Sequence, residues 1–526
     1  VYNAVAITAQ AKIDLDSAYT KLVAISKTDS THTAAFGSGE TLSAGVYYIA
    51  AAGSLAGTIT LDAGSDSDAI FIFRFNGAFS VASQSKVILI NGARICNVFW
   101  IAEGALSMGT FTYMKGTVIS HNYACSMAAN GNLEGRMLST AGAVSFSTGV
   151  IYTIQSSVDP YLDFTKDQTA GLNLDSGNTW SASWADYDND GYDDLFVPTN
   201  DLNKPNLLYH NNGDGTFSKI TTGSIVTDLG SSIGGVWGDY DNDGYIDLFV
   251  ANNVNSANSL YHNNGNGTFT SITTTALVKE GIYTHAAAWA DYNRDGNLDL
   301  VLSDFHPTNY NFLFLGDGTG GFTEDATSEV ALSATSAVGV SWGDYDNDGD
   351  PDLFIANTNG ENNQLFTNEA GILKAVTTES IVTDGGTSVG GTWGDYDNDG
   401  DLDLFVTNTS ITEENFFYEN NGDGTFTKIT SGELVTNSST SNGASWVDFN
   451  NDGYLDLLVA NDQGQSDFLF ENNGNRTFTK LDNAITQETS NSFGTSWADF
   501  DNDGDYDLIV ANIGENTNDF FINGKG

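Results

Sequence analysis

Basic residues are scarce: 18 Lys and Arg stand against 68 Asp and Glu in 526 residues, a formal net charge of −50. The deficit is uneven, because residues 1–155 hold 8 basic against 9 acidic side chains and the remainder 10 against 59. Such a surface repels phosphate backbones and anionic headgroups, which excludes nucleic acid and anionic membranes as partners. Long hydrophobic runs are lacking too. The most apolar stretch, 87–106, is interrupted by Asn91, Arg94, Asn97 and Glu103, so no membrane insertion is expected. Cysteine is limited to Cys96 and Cys125, which leaves one candidate disulfide or two buried thiols, not a disulfide framework. The six histidines (His32, His121, His210, His262, His285, His306) show no HExxH spacing and no nucleophile elbow accompanies them. No Gly-rich phosphate loop opens a helix, and no signal peptide is visible. The chain starts at Val1 without Met, as a processed product or fragment would.

What is abundant is one acidic phrase, such as WGDYDNDGDLDLFV at 393–406. Its first acid recurs seven times, at spacings of 53, 52, 53, 51, 53 and 51 residues. Acids at positions 1, 3 and 5, Gly at 6 and a carbonyl at 7 form the first half of a calcium-loop signature. The closing acid falls at position 9, not 12, and strand residues follow where a helix would. The loop is therefore expected inside a β-hairpin. The predicted metal ligands are Asp186, Asp188, Asp190 and Asp194; Asp239, Asp241, Asp243 and Asp247; Asp291, Asn293, Asp295 and Asp299; Asp344, Asp346, Asp348 and Asp352. In the last three loops they are Asp395, Asp397, Asp399 and Asp403; Asp448, Asn450, Asp452 and Asp456; Asp499, Asp501, Asp503 and Asp507. Four carboxylates in nine residues repel one another without a cation, which favours about seven structural Ca²⁺ over plain polar turns. Asn293 and Asn450 each remove a charge, so the third and sixth sites are expected to be weakest. An all-oxygen ligand set argues against zinc. Acid in excess of the ligands also serves solubility.

The N-terminal part has a different texture. Ile7, Ala11, Leu15, Ala18 and Leu22 recur at helical spacing within 4–26, the one convincing helix. From 37 to about 154, short apolar strands (GVYYIA, GTITLDAG, AIFIFRF, KVILING, CNVFWIAEG) alternate with Gly, Ala, Ser and Asn, a β-solenoid pattern. The run from LSAGVYYIAAAGSLAGTITLDAG through VILINGARICNVFW to GTFTYMKGTVIS and GRMLSTAGAV resembles the ice-binding-protein-like domain. That resemblance implies a discontinuous β-solenoid with one flanking helix. Members ordinarily have strands before the helix, whereas this chain begins at it, which implies truncation or a neighbour that completes the coil. A neighbouring strand added there, head to tail, would build a filament. Ice-binding members present a flat Thr-rich face, and the candidates are Thr58, Thr60, Thr110, Thr112 and Thr117.

Residues 155–161 (QSSVDPY) read as a linker. Beyond it, each period of about fifty residues carries four strand-like runs, which predicts a seven-bladed β-propeller from 162 to 526. The phrases WADYDNDGYDDLFV, WGDYDNDGYIDLFV, WADYNRDGNLDLVL and WVDFNNDGYLDLLV resemble FG-GAP/VCBS repeats of integrin-α heads and bacterial surface proteins. The last repeat lacks its outer strand, and DFTKD at 163–167 is expected to supply it by pairing with 519–522. Hairpin alternation puts the acidic loops on one face. Segments 199–205, 252–258, 304–311, 357–363, 408–414, 461–467 and 512–518 lie on the other, rich in Asn, Thr and Ser.

The expected protein is thus all-β: an ice-binding-like solenoid at 1–154 joined to a calcium-stabilised propeller. No catalytic residues are expected. The function read from this is a secreted, non-enzymatic cell-surface or matrix protein for adhesion or assembly, with a filament of joined solenoids as its extension. Its partners would be other copies or a surface protein at the solenoid, and a glycan or protein on the propeller face opposite the calcium loops. An ice-binding protein with an accessory propeller is the alternative, and a polysaccharide-processing enzyme is the third reading.

Overall fold

The computed structural model describes residues 15, 19–29, 31–64, 69–91, 93–95, 97–153, 164–167, 178–253, 256–278, 283–305, 310–333, 335–514 and 517–523. Two compact units divide at Val158 and Asp159, and the linker at 155–161 lies outside the described residues. No helix among the described residues is long and apolar enough to cross a membrane.

In the first unit the chain winds through three walls of parallel strands. One wall is a six-stranded sheet in the order Ala35–Gly37, Gly53–Ala56, Phe79–Val81, Leu106–Met108, Cys125–Met127 and Val144–Phe146. In Phe79–Val81, Leu106–Met108 and Cys125–Met127 the order is apolar–polar–apolar, so the flanking residues point inward and the central one outward. Phe79 and Val81 are buried around exposed Ser80, for example. The second wall runs through Glu40–Ser43, Thr58–Asp62 and Lys86–Ile90, and the third through Gly45–Ile49, Phe71–Phe75 and Val98–Ala102. The eight-residue strand Tyr113–Ser120 joins these two walls, its start pairing with Lys86 and its end with Phe99–Ala102. It bends at Gly116 (φ +103°), where a Cβ would lie 2.3 Å from the Val98 carbonyl oxygen. Inside, Phe73 stacks on Trp100 at 4.1 Å and Phe75 on Phe79 at 4.3 Å. Of the predicted helix, Leu15 and residues 19–24 are helical, and Tyr19, Leu22 and Val23 pack outside the third wall on Val46, Ile72 and Ile101. Ile7, Ala11 and Ala18 lie outside the described residues.

The second unit is a ring of seven antiparallel sheets. Blade 4 shows the pattern: Ala337–Gly343 inside, then Asp352–Asn357, Gln364–Asn368 and Leu373–Ala375. The second strand of blades 2 to 7 is buried at all six positions, because it lies between sheet neighbours and is covered by blades on both faces. Adjacent blades interlock where an aromatic ring sits over an inner-strand glycine. A Cβ on Gly235 would meet Phe196 at 2.5 Å, and one on Gly391 would meet Phe354 at 2.4 Å. The ring closes as expected: Phe164–Lys166 pairs antiparallel with Asp519–Asn523, Thr165 opposite Ile522. Lys166 reinforces the seam with Asp519 at 2.7 Å and Glu488 at 3.0 Å. Blade 2 departs from four strands. Asn200–Pro205, expected as a loop, becomes a fifth strand against Leu229–Gly238.

Candidate metal loops and a candidate binding face

Each acidic loop joins the first and second strands of a blade, and its last acid opens the second strand. In blade 5, Gly394 pairs with Asp403 and Trp393 with Leu404, so the loop spans 395–402. Position 4 is left-handed in all seven loops: Asn189, Asn242, Arg294, Asn347, Asn398, Asn451 and Asn502 have φ of 57–60°. Gly at position 6 takes φ of 89–96°, a value costly for any side chain. These two turns fold the position-1 carboxylate back onto the loop. Asp186 Oδ1 accepts from Asp190 N at 2.9 Å and its Oδ2 from Gly191 N at 2.8 Å, and Asp239, Asp291, Asp395 and Asp448 repeat both bonds.

The ninth-position acids are the buried ones. Asp194, Asp247, Asp299, Asp352, Asp403, Asp456 and Asp507 are at most 2% exposed. One oxygen of each accepts from the backbone at the end of the third strand, as Asp403 does from Asn420 N at 2.8 Å. Burial pushes the carboxyls of Asp194, Asp247, Asp299 and Asp352 up to about 7, with neighbouring loop acids adding to it. Asp403 and Asp507 are pushed up to about 8 and Asp456 to about 9 by the same cause. Several buried oxygens have no hydrogen-bond partner among the described residues: Oδ1 of Asp188, Asp241, Asp344 and Asp499, and Oδ2 of Asp299, Asp456 and Asp507. Six of the seven loops thus hold a buried acid oxygen without a hydrogen-bond partner among the described residues. In the first, second and fourth loops, oxygens of positions 1, 3 and 5 lie within 4.8 Å of one another. An oxygen-rich, clustered, buried donor set fits a hard divalent cation. The fifth loop differs. Arg476, from the outer turn of blade 6, places its guanidinium 2.7 Å from Asp397 and 2.5 Å from Glu419.

One expectation changes here. The ligand environment is not all oxygen: His210 Nδ1 lies 3.1 Å from Asp194 and 3.4 Å from Asp188, and His262 Nδ1 lies 3.2 Å from Asp241. Both histidines occupy the next-to-last position of the third strand, a place that periodicity identifies in the sequence. The remaining described histidines take other roles. His32 and His121 pair with Glu40 and Glu103, and His285 is packed by Trp180 and Phe305, with burial pushing it down to about 4. His306 lies outside the described residues.

On the opposite face, much of the asparagine is structural. The backbone N of Asn252, Asn357, Asn408 and Asn512 each donates to the Oδ1 of Asn258, Asn363, Asn415 and Asn518 across the connection. These residues are buried and cannot bind a ligand. What protrudes instead is apolar: Leu202, Leu229, Phe305, Tyr310, Leu332 and Ile411 are exposed on connections of that face.

The predicted Thr face of the solenoid does not form. Thr112 is fully buried, its hydroxyl donating to the Gly109 carbonyl at 3.1 Å. Thr110 lies between strands and donates to Ser83 Oγ. Thr58 stands beside Lys86, Thr60 between Thr41 and Ile88, and Thr117 beside Arg136, so the candidates form no ladder beyond the single Thr41–Thr60 pair. A regular face lies on the six-stranded wall. Ser54, Ser80, Ser107, Ser126 and Ser145 are cross-strand partners in that order, one outward serine per coil. Exposed Ala52, Ala78, Ala105, Ala124 and Ala143 lie two residues before them. The signal was the repeat AGSLA, AFSVA, ALSMG, ACSMA and AVSFS, missed by looking for threonine. Beneath this wall Cys125 is a free, buried thiol that donates to the Leu138 carbonyl. Cys96 lies outside the described residues.

The ice-binding-like family model matches residues 1–152, and the FG-GAP-like repeat model matches 186–250, 239–302, 296–355, 344–406, 405–459 and 448–510. An ice-binding protein of Nostoc sp. (strain HG1) is 29% identical over 152 residues, 29% of this chain and 55% of that protein. Cartilage acidic protein 1 of Mus musculus is 29% identical over 171 residues, 31% of this chain and 26% of that protein. The chain thus spans about half the length of the first relative and a quarter of the second. A solved ice-binding protein from an Antarctic Flavobacteriaceae bacterium is 45% identical over 28% of this chain and 34% of that one, with a TM-score of 0.27. With its repeat model covering more than half of the sequence, the chain belongs to the FG-GAP-like repeat family and carries an ice-binding-like domain ahead of the repeats.

Proposed function

We propose that this is an extracellular, non-enzymatic adhesion or matrix protein whose propeller is locked by about seven structural Ca²⁺. The observation that carries the reading is the set of buried loop carboxylate oxygens that have no partner. Outside cells calcium reaches the millimolar level that loops of this class need. The acids at positions 1, 3, 5 and 9, with the position-7 carbonyl, would hold each ion and fasten the two central strands of its blade. The opposite face is then the recognition face, with Leu202, Tyr310 and Ile411 as exposed apolar anchors among polar connections. A glycan or a protein is the partner class that such a surface suits. Capture on a panel of immobilised glycans and matrix proteins tests this. Binding to at least one should require calcium and fail in Tyr310→Ser/Ile411→Ser; no capture, or capture indifferent to EGTA, refutes it. Assembly extends the reading. Ala35–Gly37 and Glu40–Ser43 each have one strand neighbour among the described residues, edges onto which another copy could add a strand. Electron micrographs showing only monomers at high concentration would remove that extension.

The flat Ala-x-Ser-x-Ala wall favours ice binding as a second reading. Parallel strands space its five hydroxyls at about 4.8 Å, with methyl rows alongside. In an ice-recrystallisation assay Ser107→Tyr should abolish activity and Thr60→Tyr should not. Equal loss in both, or no activity in the parent, would remove this reading.

A further inference from the structure

The next-to-last residue of each third strand faces the acidic loop of its own blade, and it differs round the ring: His210, His262, Leu315, Thr367, Glu419, Glu471 and Ile522. Glu471 stands out. Its side chain is fully buried, and neither carboxylate oxygen has a hydrogen-bond partner among the described residues. Asp452 and Asp456 of the sixth loop act on it electrostatically. Glu419, at the same place in blade 5, supplies the contrast: Tyr396 donates to it at 3.0 Å and Arg476 reaches it at 2.5 Å. A buried acid that meets only acids lacks a cation. The sixth loop is also one of the two in which Asn replaces Asp at position 3.

We propose that Glu471 is a metal ligand of the sixth loop, supplying the carboxylate that Asn450 lacks, so that this site holds a hard divalent cation as firmly as the all-aspartate loops. On this proposal the sixth site leaves the expected pair of weakest sites. The third, with Asn293 and Leu315, stays the weak one. The inference rests on the calcium reading of the loops and adds a ligand from outside them.

Native mass spectrometry across a calcium titration, with melting in EGTA and in calcium, tests it on the full chain. Glu471→Gln and Glu471→Leu should each hold one ion fewer than the parent at concentrations that fill the all-aspartate loops. Losing one charged ligand should weaken that site by about tenfold or more. In EGTA both variants should melt higher than the parent, because the unpaired buried acid is gone; in calcium they should gain less. Adding Asn450→Asp to Glu471→Gln should restore the lost ion, a rescue that a purely structural glutamate would not show. Unchanged ion counts and calcium increments in both variants would overturn the proposal while leaving the calcium reading intact. A parent that binds no ion would overturn both.

Discussion

Removing calcium should cost the propeller a large, calculable part of its thermal stability. An ion that binds only the folded state stabilises it by RT ln(1 + [Ca²⁺]/Kd). With Kd near 1 mM, the weak end for extracellular loops, 10 mM calcium contributes about 1.4 kcal/mol per site. Seven loops then contribute about 10 kcal/mol. Unfolding the unit from 159 to 526 releases about 0.8 kcal/mol/K, at about 2.1 cal/mol/K per residue. The melting midpoint should therefore rise by about 13 °C between EGTA and 10 mM calcium, measured by calorimetry or tryptophan fluorescence. Sodium chloride must match the ionic strength, because a net charge of −50 responds to screening alone. Magnesium is the discriminating control: it demands tight octahedral geometry and dehydrates reluctantly, so 10 mM should give less than a third of the shift. A calcium shift below about 3 °C, or an equal one from magnesium, would refute the claim that these loops are built for calcium.

Three further outcomes follow from named groups. In EGTA, Asp403, Asp456 and Asp507 hold protons at about pH 8, 9 and 8 in the folded state, against about 3.9 when unfolded. The folded chain thus binds more protons through this window, and stability must fall as pH rises from about 4 to 8. Calcium must displace those protons, so its melting increment should be larger at pH 8 than at pH 5; equal increments would contradict the assignment. Asn420→Ala removes a bond to the Tyr345 carbonyl of blade 4 (2.7 Å) and one to the Leu402 carbonyl of its own blade (3.1 Å), at a cost of about 3 kcal/mol. That should appear as a drop of about 4 °C by calorimetry. Thr112→Tyr should destabilise or unfold the solenoid, because it forces a ring into a filled interior, whereas Ser107→Tyr should leave its circular dichroism melt unchanged.

Much of this was legible because the propeller repeats itself. A period near fifty, an acidic loop in each period and a stray DFTKD before the first blade sufficed for seven blades, hairpin loops and a ring closed by both ends. What stayed hidden depended on which side chains meet. Glu471 lies fifteen residues beyond Asp456, the last acid of its loop, and only folding the third strand back over the hairpin brings the two together. His210 and His262 escaped for the same reason. The solenoid face was missed differently. Strand alternation separates inward from outward residues, but GTFTYM alternates as plausibly with Thr112 outward as inward. The turn that fixes its phase, closed by the bond from Thr112 to Gly109, left no mark a pattern could show. The segments opposite the loops looked uniformly hydrophilic, yet their terminal asparagines are turn closures consumed by the fold.

Each face of the propeller is tied from blade to blade by its own set of bonds. On the loop side, position 4 of one loop grips the next: Asn347 bonds Asp401 at 2.6 Å, Asn398 the Gly453 carbonyl at 2.9 Å, and Asn451 Asp505 at 2.7 Å. Asn502 closes the circuit on the Gly191 carbonyl at 3.1 Å, and Arg294 performs the same task on Asp350. Each grip depends on the left-handed turn between positions 3 and 5, which are the proposed ligand positions. A cation fixing one loop would also fix the donor aimed at its neighbour, and these bonds run from the second loop round to the first. On the opposite face the closing asparagines also reach the next blade, Asn258 donating to Thr284 Oγ1 at 3.0 Å, Asn363 to Ser388 Oγ at 3.1 Å and Asn415 to Ser441 Oγ at 2.9 Å. Exposed Tyr310 and Ile411 lie on connections that differ from blade to blade. With both rims tied, the proposed recognition face can vary its exposed connections from blade to blade without loosening the ring.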